Sequence, residues 1–446
     1  MKKFLNLLMI IYVILIFTAC TSEITSNSYD RSNPHTDVEQ INLKMLTSVM
    51  GVDPGAQTDN GFYEIAYTGE TSVNILYTDF ESKTRVFLCN RPECTHDTES
   101  CTSWIGDYTG GASLFSDGAY IYVLIWGNST EYNQNETNCA RILQIDLNGE
   151  NRREIYRFKA TDSVVGAFVS DSENLYFMMQ RMNPSWSGYE LCLVKLNTTT
   201  KELTPLETYK TGDVWIYGVS KENIIIKETD IFSVVSEPNS EQWLENIKNV
   251  KTKFILFPIN GDEPRDILEW TQNDQLGLIA NDHYYYIDYN ERAFKAFDLY
   301  TAETKVIHTD LKTVPQENTN LSPIWDNHFL CEFVKVSSNS AKIKRDWLAI
   351  DLYTQQIYND LLSYNDFGEQ RRVTIIAESK EEFLVVNGKQ EITIDFKLAN
   401  GSVRSQNTIT ANYAFIAKDD FWSGVPNYQE IVDLSLIHIS EPTRPY

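Results

Sequence analysis

The residues best suited to chemistry are concentrated in the segment CNRPECTHDTESC, residues 89–101. Three thiols and one imidazole, those of Cys89, Cys94, His96 and Cys101, fall within these 13 positions. A disulfide would staple a loop, three thiolates with an imidazole would suit tetrahedral zinc, and an activated thiol would support redox chemistry. The spacing C-x4-C-x-H-x4-C differs from that of a standard zinc finger, since only one residue separates Cys94 from His96.

The N-terminus indicates the compartment in which this cluster would work. Lys2 and Lys3 precede an uncharged, apolar run from Phe4 to Phe17, which is shorter than the roughly 20 residues of a membrane-spanning helix. The following segment, Phe17-Thr18-Ala19-Cys20, resembles the lipobox of bacterial lipoproteins. We therefore expect a lipoprotein signal peptide over residues 1–19 and lipidation of Cys20. The protein would then be anchored to the cell membrane, on its extracytoplasmic face.

Because that compartment is oxidising, we expect one disulfide among Cys89, Cys94 and Cys101, with the third thiol free or paired with Cys139. This interpretation requires no cofactor. Zinc bound by the three thiols and His96 is the alternative. Two other cysteines lie in apolar segments, Cys192 in ELCLVKL and Cys331 in HFLCEFV, and are predicted to be buried in the core.

The composition limits the possible functions. The chain has 446 residues, with 38 Lys and Arg against 62 Asp and Glu, which gives a formal net charge of -24. Nucleic-acid binding requires a basic surface, so this balance argues against it. Hydrophobic residues make up 42% of the chain, enough for a large core, and its 25 Tyr, 21 Phe and 9 Trp suit β-strands.

A hairpin pattern recurs along the chain: an apolar strand that often ends in Asp, a short polar turn and a second strand. Its seven copies begin near residues 75, 143, 193, 256, 295, 348 and 393. A second strand-turn-strand pattern, such as SDGAYIYVL over residues 116–124, precedes most copies. Each repeat of about 53 residues thus supplies about four strands. We predict an all-β fold, a β-propeller with seven four-stranded blades, with six or eight blades as alternatives.

The repeat also sets the domain limits. Residues 20–55 are assigned to the lipidated cysteine and a tether, and residues 56–433 to the propeller, with a short surface helix near residues 237–252. Residues 434–446 read LSLIHISEPTRPY, and the codons of a transposase-based sequencing adapter, read in frame, encode Leu434 through Arg444. We interpret this tail as an assembly artefact and not as native protein.

Two segments resemble a known group of proteins. These are VFLCNRPECTHDTESCTSW over residues 86–104 and AFIAKDDFWSGVPNYQEIV over residues 414–432. Both resemble segments of lipid-anchored β-propellers of unknown function from Firmicutes, chiefly gut clostridia. The turn SDGAYIYVL resembles the propeller repeats of TolB and related domains. The resemblance implies a lipid-anchored propeller, but it supplies no catalytic residues.

Other residues that could do chemistry are explained by the repeat. His283 and His328 occupy equivalent polar turns. Four aspartates end equivalent strands, where Asp caps the following turn: Asp79, Asp146, Asp298 and Asp351. The run Tyr284-Tyr285-Tyr286 could form a carbohydrate platform, but strand alternation directs about half of such rings into the core.

The sequence contains no G-x-S-x-G elbow, no HExxH motif and no phosphate-binding loop. We therefore expect a lipid-anchored, extracytoplasmic propeller that acts as a ligand-binding or scaffolding module at the cell surface. Its partners would be the membrane, through the lipid anchor, and an extracellular glycan, peptide or protein. The alternative is a secreted propeller enzyme, a lyase or hydrolase, that acts on glycans.

Overall fold

The structure is a computed structural model. It describes residues 42–51, 53–68, 71–106, 108, 110–128, 139–183, 185, 188–209, 213–230, 246, 249–271, 275–312, 319–336, 343–397 and 402–435. The predicted signal peptide over residues 1–19, Cys20, most of the segment 237–252 and residues 436–446 lie outside these ranges.

Seven antiparallel units of four strands follow one another along the chain, and we number them blades 1 to 7. Each is a meander that runs from an innermost to an outermost strand. Blade 1 comprises Ala56–Thr58, Gly61–Ala66, Val73–Asp79 and Thr84–Phe87, and blade 2 comprises Ala112–Ser116, Tyr120–Ile125, Arg141–Asp146 and Arg153–Arg157. Blade 3 comprises Asp162–Ser170, Asn174–Met182, Tyr189–Asn197 and Leu203–Tyr209, and blade 4 comprises Asp213–Ser220, Asn223–Thr229, Lys251–Pro258 and Arg265–Thr271.

The remaining blades have the same order. Blade 5 comprises Gln275–Ala280, His283–Asp288, Ala293–Asp298 and Thr304–His308, and blade 6 comprises Thr319–Leu321, His328–Val336, Ile343–Asp351 and Ile357–Tyr358. Blade 7 comprises Thr374–Glu378, Glu382–Lys397, Val403–Ala417 and Gln429–Glu430. The further elements are the strands Lys44–Met45, Trp104–Ile105, Ser363–Asp366, Glu369–Arg372 and Val432–Asp433, and the helix Lys418–Ser423.

Local hydrogen bonds explain why the repeat forms hairpins. In the first turn of blade 2, Asp117 accepts hydrogen bonds from the backbone N–H groups of Ala119 and Tyr120, both at 2.8 Å. Its other carboxylate oxygen accepts the hydroxyl of Tyr122 at 2.8 Å. Asp171 repeats this arrangement in blade 3. The aspartate therefore caps the turn and fixes the register of the strand that follows.

The hydrophobic core lies between the blades. Seven clusters of buried side chains each join one blade to the next, and the last joins blade 7 to blade 1. For example, Phe115 of blade 2 stacks on Phe168 of blade 3 with ring centroids 4.2 Å apart. Seven interfaces between seven units close a ring, so the predicted seven-bladed β-propeller is confirmed.

Side-chain and strand contacts close the ring between blades 7 and 1. On the innermost strands, the Gln57 side chain donates to the Glu378 carbonyl oxygen and accepts from the Glu378 N–H, both at 2.7 Å. At the outer edge, Val432–Asp433 adds to Thr84–Phe87 as a parallel strand. Of the tail interpreted as an artefact, only Leu434 and Ser435 are described, and they continue the chain beside this edge.

One short strand precedes the propeller. Lys44–Met45 pairs with Asp162–Ser170, the innermost strand of blade 3. Leu43 and Leu46 pack on either side, in the clusters between blades 3 and 4 and between blades 2 and 3. The described part of the segment assigned to the tether, residues 20–55, is thus attached to the ring at its inner edge.

The connections differ between the two ends of the propeller. In a meander, the connection from the second to the third strand and the connection to the next blade emerge at the same end. The three longest connections between blade strands all belong to these two kinds: Ile125 to Arg141, Thr229 to Lys251 and Tyr358 to Thr374. We call this end the insertion face. No helix in the described part of the chain has the length and apolarity needed to cross a membrane.

Candidate metal centre

The four clustered residues lie on a loop that interrupts the outermost strand of blade 1. Thr84–Phe87 and Trp104–Ile105 both pair with Val73–Asp79, and residues 88–103 leave the sheet between them. We call residues 88–103 the excursion. Its two ends meet at Ile75, whose N–H donates to Ser103 O and whose carbonyl accepts from Leu88 N, both at 2.9 Å. The excursion is therefore a closed loop fixed at one residue of the sheet.

Two residues of blade 1 hold His96 in place. The completely buried side chain of Asn74 donates hydrogen bonds to His96 O at 3.0 Å and to Ser103 Oγ at 3.1 Å. The ring of Phe87 stacks on the His96 imidazole, with centroids 4.3 Å apart and planes 21° apart. His96 is thus buried and fixed in orientation.

The ligand atoms of Cys89, Cys94, His96 and Cys101 all lie within 4.8 Å of one another. His96 Nδ1 and Cys101 Sγ are 3.3 Å apart. In tetrahedral zinc sites, metal–sulfur distances of about 2.3 Å and metal–nitrogen distances of about 2.0 Å place neighbouring ligand atoms about 3.5–3.8 Å apart. The cluster therefore has a donor set and a spacing that could hold a metal ion.

The backbone of His96 explains how so short a spacing converges. Its φ is 57°, in the left-handed region that L-residues with a Cβ rarely adopt. The chain bends at His96, and the side chains of His96 and Cys94 approach the same point. The short interval between Cys94 and His96, which argued against a tetrahedral site in the sequence, is accommodated by this turn.

The thiols differ in their ease of ionisation. Burial raises the pKa of Cys101 to about 12. Burial also acts on Cys89, but hydrogen bonds from the Arg91 backbone and the Thr102 side chain outweigh it and lower the pKa of that thiol. A bound cation would favour the thiolate at every position.

Cys89, Cys94 and Cys101 are free thiols in this structure, and the disulfide expected from the sequence stays a prediction. The converging group includes an imidazole, which a disulfide would not need, and it does not include Cys139. Cys192 and Cys331 are 2% and 0% exposed, which confirms that they belong to the core.

The excursion is also clamped against blade 2. Arg152 Nη2 donates to the carbonyl oxygens of Cys101 at 3.2 Å and Thr102 at 2.9 Å. Gly149, with φ +86°, packs so closely that a Cβ there would lie 2.9 Å from Leu88 O. The cluster therefore lies at the junction of two blades. Neither Asn74 nor Arg152 stands out in the sequence, because each acts through contacts with residues distant along the chain.

The structure brings none of the other candidate residues into this site. His283 and His328 lie in turns of different blades, where each Nδ1 contacts the carbonyl two residues earlier at 2.7 Å. Asp79, Asp298 and Asp351 accept backbone N–H groups of the turns that follow them. The rings of Tyr284, Tyr285 and Tyr286 are all buried. Their repeat-based interpretations are thus confirmed for the two histidines and these three aspartates, and the tyrosine run belongs to the core.

No protein-family model and no curated protein sequence matches this chain. Among solved structures, it is similar to puromycin hydrolase, with 8% identity and a TM-score of 0.47 over 90% of this chain and 58% of that one. It is similar to oligogalacturonate lyase from Vibrio parahaemolyticus, with 11% identity and a TM-score of 0.46 over 79% of this chain and 91% of that one. It is also similar to the β-propeller domain of the Trilobed protease from Pyrococcus furiosus, with 10% identity and a TM-score of 0.42 over 89% and 99%.

Proposed function

We propose that this chain is a lipid-anchored, extracytoplasmic β-propeller that binds a ligand at the cell surface through its insertion face. The observation that supports this proposal is the unequal distribution of connections, since the three longest all emerge at one end of the ring. Loops held by a rigid scaffold are where binding residues concentrate. Most connections at the opposite end are short turns, and several of them are capped by aspartate, which leaves that end little variable surface.

We further propose that zinc is the resident metal of the Cys89, Cys94, His96 and Cys101 cluster, in a structural role. All four positions of a tetrahedral ion would be filled by protein, which is typical of structural zinc sites. Leu88 is the one residue of the excursion that belongs to a hydrophobic cluster of the described core, and the ion would fix the four ligands of the excursion to one another. Zinc binding would stabilise the folded conformation of this loop, and it would therefore also stabilise the junction between blades 1 and 2.

The binding function is tested with the chain from residue 20 onward carrying Cys20→Ser, which lacks both the apolar signal segment and the lipidated cysteine and therefore stays soluble. A panel of neutral oligosaccharides, acidic oligosaccharides and short basic peptides is screened by thermal shift and then by calorimetry. We expect at least one probe to bind saturably and to be recovered unchanged. A variant in which residues 231–249 are replaced by a short Gly-Ser linker should lose that binding.

The matched control alters the opposite end, by replacing the turn residues Asn260 and Gly261 with Asp and Asn. This variant should bind as the parent does. Conversion of an oligosaccharide to smaller products would identify the enzyme alternative and contradict the proposal. Loss of binding only in the turn variant would show that the binding site lies at the end opposite the insertion face.

A further inference from the structure

A cleft of about 760 Å³ lies beside the metal centre, between the excursion of blade 1 and the two outer strands of blade 2. Four guanidinium groups line it, those of Arg91, Arg141, Arg152 and Arg157. Three glutamates also line it, so the charged side chains of its described lining residues sum to +1. This sign is opposite to that of the chain, whose formal net charge is -24.

Two of these arginines are held in position by neutral groups. Arg141 is 6% exposed, and its Nη2 donates to Gly106 O at 3.3 Å. Arg152 donates to the carbonyl oxygens of Cys101 and Thr102, and its buried Nε has no hydrogen-bond partner among the described residues. Carbonyl oxygens fix a guanidinium without cancelling its charge, so Arg152 keeps a positive charge that can attract an anion.

One of the three carboxylates is shared between two arginines. Glu154 pairs with Arg157 through hydrogen bonds of 2.9 and 2.5 Å, and it also lies 4.0 Å from Arg141 Nε. Arg91 lies exposed at the rim, on the excursion. The cleft thus combines arginines fixed on the blade 2 side with an exposed guanidinium at its entrance, and the Glu154 carboxylate interacts with two of the fixed arginines.

We propose that this cleft binds a small organic molecule that carries a carboxylate or phosphate group. The arginine fork matches the geometry of both oxyanions. The volume is in the range of small-molecule sites and exceeds what an inorganic anion fills, so the ligand has a body as well as a charged group. The partly buried indole of Trp104 offers that body an apolar surface. This site is separate from the insertion-face proposal and from the identity of the metal.

The test is calorimetry on the chain from residue 20 onward carrying Cys20→Ser, with glucuronate, glucose 6-phosphate, glucose and inorganic phosphate at matched ionic strength. At least one of the two acidic sugars should bind, and glucose should not. Which acidic sugar binds distinguishes a carboxylate ligand from a phosphate ligand. Binding should weaken as salt is added. Arg91→Gln, at an exposed position, should weaken it about tenfold.

The matched control is Arg265→Gln, which removes an equally exposed arginine from blade 4, away from the cleft. It should leave the affinity unchanged. Equal weakening by Arg91→Gln and Arg265→Gln would reveal a general charge effect and overturn the proposal. The same conclusion follows if glucose binds as well as the acidic sugars, if inorganic phosphate binds as well as glucose 6-phosphate, or if neither acidic sugar binds at millimolar concentration.

Discussion

Asn74 and His96 are joined by a hydrogen bond of 3.0 Å, from the buried side-chain amide of Asn74 to the backbone carbonyl oxygen of His96. Asn74 belongs to a central strand of blade 1, whereas His96 belongs to the excursion. The turn at His96 directs its imidazole toward the three thiols. The hydrogen bond therefore fixes this turn to the rigid sheet. The geometry of the metal centre is set by the propeller and not by the loop alone.

Replacing this amide tests that relationship. We expect Asn74→Ala to lower the free energy of unfolding by about 1–3 kcal/mol, because it leaves a buried carbonyl without its donor. It should also weaken metal binding, since the His96 turn loses its support. Urea unfolding and metal titration measure the two effects. The control is Asn427→Ala, which removes an exposed Asn–carboxylate hydrogen bond and should cost less than about 0.5 kcal/mol.

The metal proposal predicts one zinc ion per chain in protein purified without chelators. Cys94→Ser and His96→Ala should each lose most of that zinc, and a chelator should lower the thermal midpoint of the parent. Cys192→Ala changes a thiol of the core and should keep its zinc. The intact mass of the protein, measured under non-reducing conditions, distinguishes zinc from a disulfide. A mass lower by two hydrogen atoms, in protein without bound zinc, would support the disulfide instead.

Asp288 and Lys295 form a largely buried ion pair in blade 5, with Oδ2 and Nζ 2.8 Å apart. Burial acts to raise the pKa of Asp288, but hydrogen bonds from Lys295 and from the backbone of Glu291 and Asn290 outweigh it and lower that pKa. Because the folded-state pKa lies below the unfolded value, the stabilisation is present above about pH 4 and is lost as the pH falls through the folded value.

We therefore expect Asp288→Asn to destabilise the protein by about 1–2 kcal/mol at pH 7. The difference from the parent should shrink as the pH is lowered below 4. Urea unfolding at pH 7 and pH 3 checks this, with Asp262→Asn as the exposed control. A difference that stays constant over this range would show that the pair does not titrate as proposed.

The anchor is tested by fractionation. Cells expressing the full chain should retain the protein in the membrane fraction, and Cys20→Ser should release it or leave the signal peptide uncleaved. The physical reason is that stable membrane attachment needs more than one acyl chain, which a lipoprotein cysteine carries. Membrane association that survives the substitution in a chain whose signal peptide has been cleaved would rule out lipidation of Cys20 as the anchor.

The C-terminus gives a separate prediction. A chain ending at Ser435 keeps the strand Val432–Asp433 and the ion pair between Arg85 and Asp433, so it should unfold with the same free energy as the full chain. A chain ending at Tyr428 loses both and should be less stable by more than about 1 kcal/mol.

Resequencing the gene should replace LSLIHISEPTRPY with another C-terminus. The same tail in an independent clone would show that it is native.

The repeated turns account for what the sequence could predict. Asp117 contacts only residues two to five positions away, and Asp171 does the same. Such contacts are encoded by neighbouring residues, so their recurrence is visible as a sequence pattern and leads to strands, hairpins and the number of blades. The burial of Cys192 and Cys331 followed from apolar neighbours in the same strand.

The candidate site depends on contacts that cross long stretches of chain. Cys89, Cys94, His96 and Cys101 stood out by composition, but their convergence required the left-handed turn at His96 and the support of Asn74, 22 residues earlier. Arg152 reaches the excursion from blade 2, across 51 residues of sequence. The cleft beside the metal centre is formed by two blades packing together. Local chemistry therefore determined the repeating strands, whereas the packing of one blade on the next decided which distant side chains share a site.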